Sequence, residues 1–527
     1  MNHALALLSG VLLVASFPKY GHPAFGWIAL APLILAVGRT RRVAGLHGAF
    51  AAGWLTGIVY FTGCVYWVVG VMQQYGGLPT PVAVAVGALL VAYLALYPAL
   101  FAAILGAAVH RFGMQALWAA PVIWVSTEWS RAVFLTGFPW VPLGSSQATV
   151  LPVVQAASVV GVYGLSALLA LVGTVAAIAV AAPGRRSRQA TLGVAVLVAA
   201  VMAAGTWRVL RAEWTSTGET LRVGLVQGNV AQDQKYDPAF ATAIMDRYLN
   251  LSREAIAAGA QLVVWPEAST PFYLEAEGRK AAPIRRLALE TATPFLIGTD
   301  EYVPARDGHP EHFYNSASLV GADGRSRGSY RKMHLVPFGE YVPLQSMLFF
   351  VKPLVEAVSN FSAGAEPVVF DAGRAKLSVA ICYESVFPWL ARDFVENGAQ
   401  LLAVITNDAW FGRSSAAYQH FEQGAVRAVE QGRYLVRAAN TGISGAVDPY
   451  GRVLTRSGLF EPAMLSVDVR VHAGRTIYSR IGDVVVWASL IATAWMLLLL
   501  RAPAGGRRGR SRVVNPGVQG TSLREVK

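Results

Sequence analysis

The chain of 527 residues is 54% hydrophobic and 14% charged, where a soluble domain carries about 25% charged residues. A wholly water-soluble protein is excluded, and most of the chain belongs in lipid. The formal charge of +13 does not mark a nucleic-acid binder. Much of it gathers in short clusters (Arg39, Arg41, Arg42; Arg185, Arg186, Arg188; Arg501, Arg507, Arg508, Arg510, Arg512) that abut apolar runs and read as orientation signals.

In chain order, the first element is the apolar stretch 4–17, shaped like the core of a signal peptide. Lys19, Tyr20 and more apolar sequence follow with no small-x-small cleavage pattern, so it is read as retained. Residues 25–38 and 115–127 are similarly short. Uncharged runs at 45–72, 82–109, 159–182, 190–207 and 484–500 are spans, since about 20 apolar residues cross a bilayer core and about 17 suffice. Cys64, between Gly63 and Val65 in one of them, reads as helix packing. Glu128 and Arg131 read as an interfacial ion pair at helical spacing. Gly137-Phe-Pro-Trp140 and Pro142 then break the helix, and the stretch to Pro152 is expected at the membrane surface, lining a lipid entrance.

Counting eight spans puts the 39–42, 110–111 and 185–188 loops and the basic tail on the side of the N-terminus, which the positive-inside rule makes cytoplasmic. The expected organisation is a membrane domain of seven spans (1–207), an extracytoplasmic polar block (208–480), a last span (481–501) and a basic, disordered cytoplasmic tail (502–527). In a bacterium with two membranes the block lies in the periplasm.

Within the block the period changes to short β-rich runs, at 221–227, 261–265, 294–298, 316–320, 376–381 and 400–406, with helical stretches at 239–258 and 388–397. That alternation predicts an α/β domain. Gly321-Ala-Asp-Gly324 and Asp448-Pro-Tyr-Gly451 read as turns between paired strands. Leu377, Val379 and Ile381 alternate with Ser378, Ala380 and Cys382, which places Cys382 on the face of small residues, where a reactive thiol has open space. Glu267 follows Pro266 at a strand end, and Lys332 follows the run 328–331. A thiol nucleophile, a carboxylate to take its proton and an ammonium to hold an oxyanion are the parts acyl transfer needs. The two cysteines sit in a span and in the polar block, so no disulfide framework is available and Cys382 is a free thiol. The apolar stretch 344–354 is either a buried helix or a mobile arm that covers the thiol.

Trp265-Pro-Glu267, Arg331-Lys332 leading into Pro337-Phe-Gly-Glu340-Tyr-Val-Pro343, and Ile381-Cys-Tyr-Glu384 occur in order, with the three candidates 65 and 50 residues apart. This pattern resembles the carbon-nitrogen hydrolase (nitrilase) superfamily. With the flanking spans, Gly137-Phe-Pro-Trp140 and Asn407-Asp-Ala-Trp-Phe-Gly412, it is similar to the bacterial apolipoprotein N-acyltransferase family across essentially the whole chain. The resemblance implies a four-layer α-β-β-α sandwich on an eight-helix membrane domain in the bacterial inner membrane. It implies Glu267, Lys332 and Cys382 as a catalytic triad. The implied reaction moves an acyl chain from a phospholipid, typically phosphatidylethanolamine, through a cysteine thioester to the α-amino group of an S-diacylglyceryl cysteine on an apolipoprotein. Tyr236 stands where related chains carry Trp and keeps an aromatic near the substrate.

Glu340 and Glu384 position Lys332 or the incoming amine, or serve as structural ion-pair partners. Tyr383 shapes the pocket or simply packs. A membrane-anchored nitrilase-type amidase would use the same thioester with water as acceptor, but eight spans where one anchor would hold a hydrolase favour transfer. A transporter is disfavoured because the spans lack buried charge pairs and paired Gly/Pro-broken helices. His-Glu-x-x-His, Cys-x-x-Cys and Gly-rich phosphate loops are absent from the sequence, so no metal or organic cofactor is called for. The expected partners are the bilayer, the phospholipid donor and the lipoprotein acceptor, and a monomer is expected because membrane docking covers the surfaces soluble relatives use to associate.

Overall fold

The computed structural model describes residues 1–39, 45–235, 237–305, 310–341 and 361–502. Tyr236, the 344–354 stretch and the tail beyond 502 lie outside the described residues.

Among the described residues, five helices are long and apolar enough to cross a membrane: Gly45–Val65, Thr80–Phe112, Ala157–Ala181, Arg185–Thr215 and Val484–Arg501. They correspond to the five long uncharged runs. Shorter apolar helices occupy Asn2–Val14 and Pro23–Arg39, and a 3-10 turn at Met114–Ala119 leads into the helix Ala120–Ser130. The run 45–72 is not one element. Its helix stops at Val65, and a separate helix, Trp67–Gln74, lets Trp67 pack on Trp140 and Phe411, with ring centroids 5.1 and 4.9 Å away. Gly53 lets the Gly45–Val65 and Thr80–Phe112 helices touch, since a Cβ there would lie 2.3 Å from the Pro98 carbonyl oxygen.

One expectation about this region is corrected. Glu128 and Arg131 are both buried and are not a surface ion pair. Arg131 Nη1 donates to the Phe138 and Trp140 carbonyls at 3.0 and 2.5 Å, and Glu128 Oε1 accepts from Leu143 N at 2.7 Å. The two charges serve backbone groups of the irregular segment that follows the helix Ala120–Ser130, so buried charge stands at the end of that helix. Residues 139–148 are buried within the protein.

The polar block folds into two mixed six-stranded sheets. The first holds β1 (Glu219–Gln227), β2 (Leu262–Val264), β3 (Phe295–Val303), β4 (His312–Val320) and β5 (Ser326–Arg331). The second holds β6 (Phe370–Asp371), β7 (Lys376–Ile381), β8 (Leu401–Thr406), β9 (Leu435–Ala439), β10 (Gly445–Val447) and β11 (Val453–Arg456). β12 (Ala463–Val471) returns to the first sheet, giving orders β12-β1-β2-β3-β4-β5 and β11-β10-β9-β8-β7-β6. In each, three parallel strands sit between antiparallel neighbours. The two predicted turns join β4 to β5 and β10 to β11.

Strand alternation explains the packing. Leu262 and Val264 enter a core shared with Leu377, Val379 and Ile381 of the other sheet, whereas Val263 and Trp265 pack under the helices Ala241–Ala257 and Gly278–Thr291 with Tyr248 and Ile284. The helix Ala416–Gln431 is buried at every position except Tyr418 and Glu422, which are half-buried. Three of its polar side chains receive groups of the N-terminal region: Gln419 accepts from Trp140 Nε1 at 2.7 Å, Gln423 from Val141 N at 3.1 Å and Glu430 from Val162 N at 2.8 Å.

Candidate active site

Glu267 and Lys332 come from the first sheet and Cys382 from the second. Pro266 ends the run after β2 and turns the chain so that Glu267 faces inward. Gly298 on β3 makes room, since a Cβ there would sit 2.6 Å from the Glu267 Cα. Both carboxylate oxygens meet only donors: Oε1 receives Asn315 Nδ2 at 2.7 Å and lies 3.6 Å from Lys332 Nζ, and Oε2 receives Asn407 N at 2.7 Å. Lys235 Nζ donates to the Glu267 carbonyl oxygen at 3.1 Å.

Lys332 follows β5 directly, and its backbone is held by Asn315 O and Gly364 N. Its Nζ lies 2.8 Å from Glu340 Oε1. Burial alone would lower its pKa; Glu340, Glu267 and Cys382 outweigh that and hold it well above the ordinary lysine value. Lys332 is therefore an ammonium at any physiological pH. Glu340 is fixed in turn, because Oε1 also accepts from Asn315 Nδ2 at 2.8 Å and Oε2 from Val336 N at 2.8 Å.

Cys382 does not sit on the small-residue face of β7, as strand alternation predicts. The strand ends at Ile381, and Cys382 opens a 3-10 turn, Cys382–Val386, with φ of +52°. A left-handed non-glycine residue costs about 1–3 kcal/mol and persists only where its surroundings impose it. The thiol is buried, and burial followed by the charge of Glu267 pushes its pKa well above the ordinary value, against the opposing pull of Lys332. The resting group is a thiol flanked by a carboxylate and an ammonium.

Glu384 does not contact Lys332. Its Oε1 accepts from Tyr330 OH at 2.8 Å, Met333 N at 2.7 Å and His334 N at 3.1 Å, and its Oε2 from Ile381 N at 2.7 Å. It ties the turn after β7 to the segment after Lys332. Burial raises it to about 7, against the pull of its bonds from Ile381 N, His334 N and Tyr330 OH and of the Lys332 charge. Tyr383 OH donates to the Gly137 carbonyl at 3.1 Å, and its ring stacks on Trp140 with centroids 6.5 Å apart, so the membrane-derived Gly137–Trp140 segment lies against the thiol's own turn. Asn315, Asn407 and Lys235 escaped sequence reasoning. For Asn407 the signal was present, in the Asn-Asp-Ala-Trp-Phe-Gly run that was noted without assigning its first residue.

Two family models match the chain: carbon-nitrogen hydrolase over residues 222–478 and apolipoprotein N-acyltransferase N-terminal domain over residues 9–176. An apolipoprotein N-acyltransferase of Geobacter metallireducens is 42% identical over 94% of each chain. That of Methylococcus capsulatus is 37% identical over 91% of this chain and 92% of its own. A crystal structure of an amidase from Nesterenkonia sp. aligns at 23% identity and a TM-score of 0.36, covering 48% of this chain and 92% of that one. Identity at this level, sustained through both the apolar helices and the two-sheet block, places the chain in the apolipoprotein N-acyltransferase family.

Proposed function

We propose that Cys382 carries an acyl chain from a membrane phospholipid, with phosphatidylethanolamine the expected donor, to the α-amino group of an S-diacylglyceryl cysteine at the start of an apolipoprotein. The observation that carries this reading is the convergence of Glu267, Lys332 and Cys382, from two sheets, in one buried cluster against the membrane-derived Gly137–Trp140 segment. The name shared by the relatives supplies the class of acceptor.

In the first half-reaction Glu267 takes the thiol proton as sulfur attacks the ester carbonyl carbon. Lys332 faces the oxyanion that forms, in a low-dielectric site where such stabilisation is large. The ester C–O bond breaks, the leaving lysophospholipid oxygen takes the proton from Glu267, and a thioester remains. In the second, the lipoprotein amine attacks the thioester carbonyl, Glu267 takes the amine proton, and the C–S bond breaks. The sulfur then recovers its proton. Glu340 holds Lys332 in place and Glu384 holds the thiol's turn; Tyr383 shapes the space for the chain, and the aromatic kept at Tyr236 bears on fine substrate preference.

The reading extends to topology. Residues 1–207 form seven spans, 208–480 a four-layer α-β-β-α block in the periplasm, and 481–501 the last span, in a monomer with both termini cytoplasmic. Five long apolar helices, the shorter ones before and between them and the basic clusters support this arrangement.

The test is to mix purified protein with phospholipid labelled in its acyl chain and look for a hydroxylamine-sensitive adduct on Cys382. Wild type forms it, Cys382→Ala does not, and the label moves to a diacylglyceryl-cysteine peptide on addition. Release of free fatty acid without peptide would identify a hydrolase, and absence of any adduct would refute the thioester.

A further inference from the structure

The carbonyl of Cys382 accepts from two side chains, Ser385 Oγ at 2.9 Å and His420 Nε2 at 3.0 Å, which are themselves 2.9 Å apart. Across the imidazole, Nδ1 lies 3.1 Å from Asp408 Oδ1 and 2.9 Å from Arg437 Nη2, and Arg437 Nη2 is 2.8 Å from Asp408 Oδ2. Asp408 Oδ1 also accepts from Thr406 Oγ1 at 2.7 Å. Because β7 and β8 pair Ile381 with Ile405, Thr406 occupies the position beside Cys382 on the neighbouring strand. The circuit leaves Cys382 at its carbonyl and returns beside its side chain, and every member of it is buried.

The charges are arranged to keep the circuit fixed. Burial and then Arg437 lower the pKa of His420, so the ring is neutral and its Nε2–H is available to the Cys382 carbonyl. Burial alone would raise the Asp408 carboxyl; the Arg437 guanidinium, helped by the Thr406 hydroxyl, outweighs it and holds it ionised. None of these groups is needed to move a proton in acyl transfer. What they do is grip the one residue whose backbone is left-handed and whose sulfur must face Glu267 and Lys332.

We propose that His420, oriented by Arg437 and acting with Ser385, is a positioning residue that holds Cys382 in its left-handed turn and so aims the thiol for attack. The proposal rests on Cys382 being the acyl carrier.

The test uses full-length His420→Leu and His420→Gln in phospholipid nanodiscs, the glutamine amide restoring a donor toward the carbonyl. Three quantities are read: the rate of acyl-adduct formation, KM for phospholipid, and alkylation of Cys382 by iodoacetamide at pH 9. His420→Leu should form the adduct about 100-fold more slowly, the scale of a misplacement near 1 Å. KM should stay within about twofold and alkylation within about threefold, the sign that orientation and not access has changed. His420→Gln should regain at least about tenfold of the lost rate. Equal impairment of both variants, or faster alkylation accompanying the loss, would make the role merely structural and overturn the proposal. If His420→Leu does not fold, Ser385→Ala carries the test: a slower adduct with unchanged KM supports the relay, and an unchanged rate overturns it. Wild type without an adduct would defeat the acyl-carrier reading itself; a wild-type adduct with indifferent variants defeats only the relay.

Discussion

Lys332 Nζ lies 2.8 Å from Glu340 and 3.6 Å from Glu267, and Asn315 Nδ2 bonds the same two carboxylates. The ammonium is thus anchored to the glutamate that does not face the thiol's proton. Its charge remains available to a developing oxyanion, and Glu267 stays free to accept a proton.

Removing that anchor has a defined consequence. Glu340→Ala leaves a buried ammonium with one distant partner, and breaking a buried pair in this way destabilises by about 3–5 kcal/mol. The thermal transition of the detergent-solubilised protein should fall accordingly, and adduct formation should slow. Glu340→Gln, which keeps an acceptor for Lys332 and gives up only the one for Val336 N, should lose less of both. Equal stability of the alanine variant and wild type would remove Glu340 from this role.

The thiol's raised pKa sets the pH dependence of its chemistry. A free cysteine alkylates with a midpoint near about 8.5. With the folded value raised, Cys382 stays protonated through the neutral range, so its iodoacetamide rate should keep climbing past about pH 9 without a plateau. A plateau below that pH would show that Lys332 outweighs burial and Glu267.

Lys235 gives a stability prediction with the opposite sense. Burial lowers it from 10.5 to about 8, with Glu267, Asp300 and Cys382 opposing. Between those two values the unfolded chain binds the proton and the folded one does not, so this group makes stability rise with pH across that window. Its desolvation penalty is fully present below about 8. Relative to Lys235→Met, wild type should therefore gain in unfolding temperature between pH 8 and pH 10; a constant difference would contradict it.

Glu384→Ala should be mainly a folding defect. It strips partners from Tyr330 OH and three backbone N–H groups, each unsatisfied buried donor costing about 1–3 kcal/mol. Low yield of folded protein is expected. A well-folded but inactive variant would instead point to a role in the chemistry.

The long spans, the strand at β7 and the trio of candidates were legible because each follows from local pattern: uninterrupted apolar length, alternation between turn signals, and a proline or strand end before a polar residue. The Cys382 turn was not, since nothing in Ile-Cys-Tyr-Glu signals a positive φ. β9 was missed because Arg437 in its middle reads as surface, and only the Asp408 pairing makes its burial affordable. The helix Ala416–Gln431 was missed for the same reason: His420, Gln423, Arg427 and Glu430 look solvated until the backbone groups that receive them are seen. Glu128 and Arg131 misled in the same way, being read as a pair when each serves a broken helix end.

That helix bears on how the protein can be handled. One of its sides holds the Cys382 carbonyl through His420, and the others hold Trp140, Val141 and Val162 of the N-terminal part. A version trimmed of its membrane half would leave those glutamine and glutamate groups without their counterparts and loosen the very turn that carries the thiol. No free-standing soluble fragment should therefore retain activity, and substitutions beneath the bilayer surface should be felt at the sulfur.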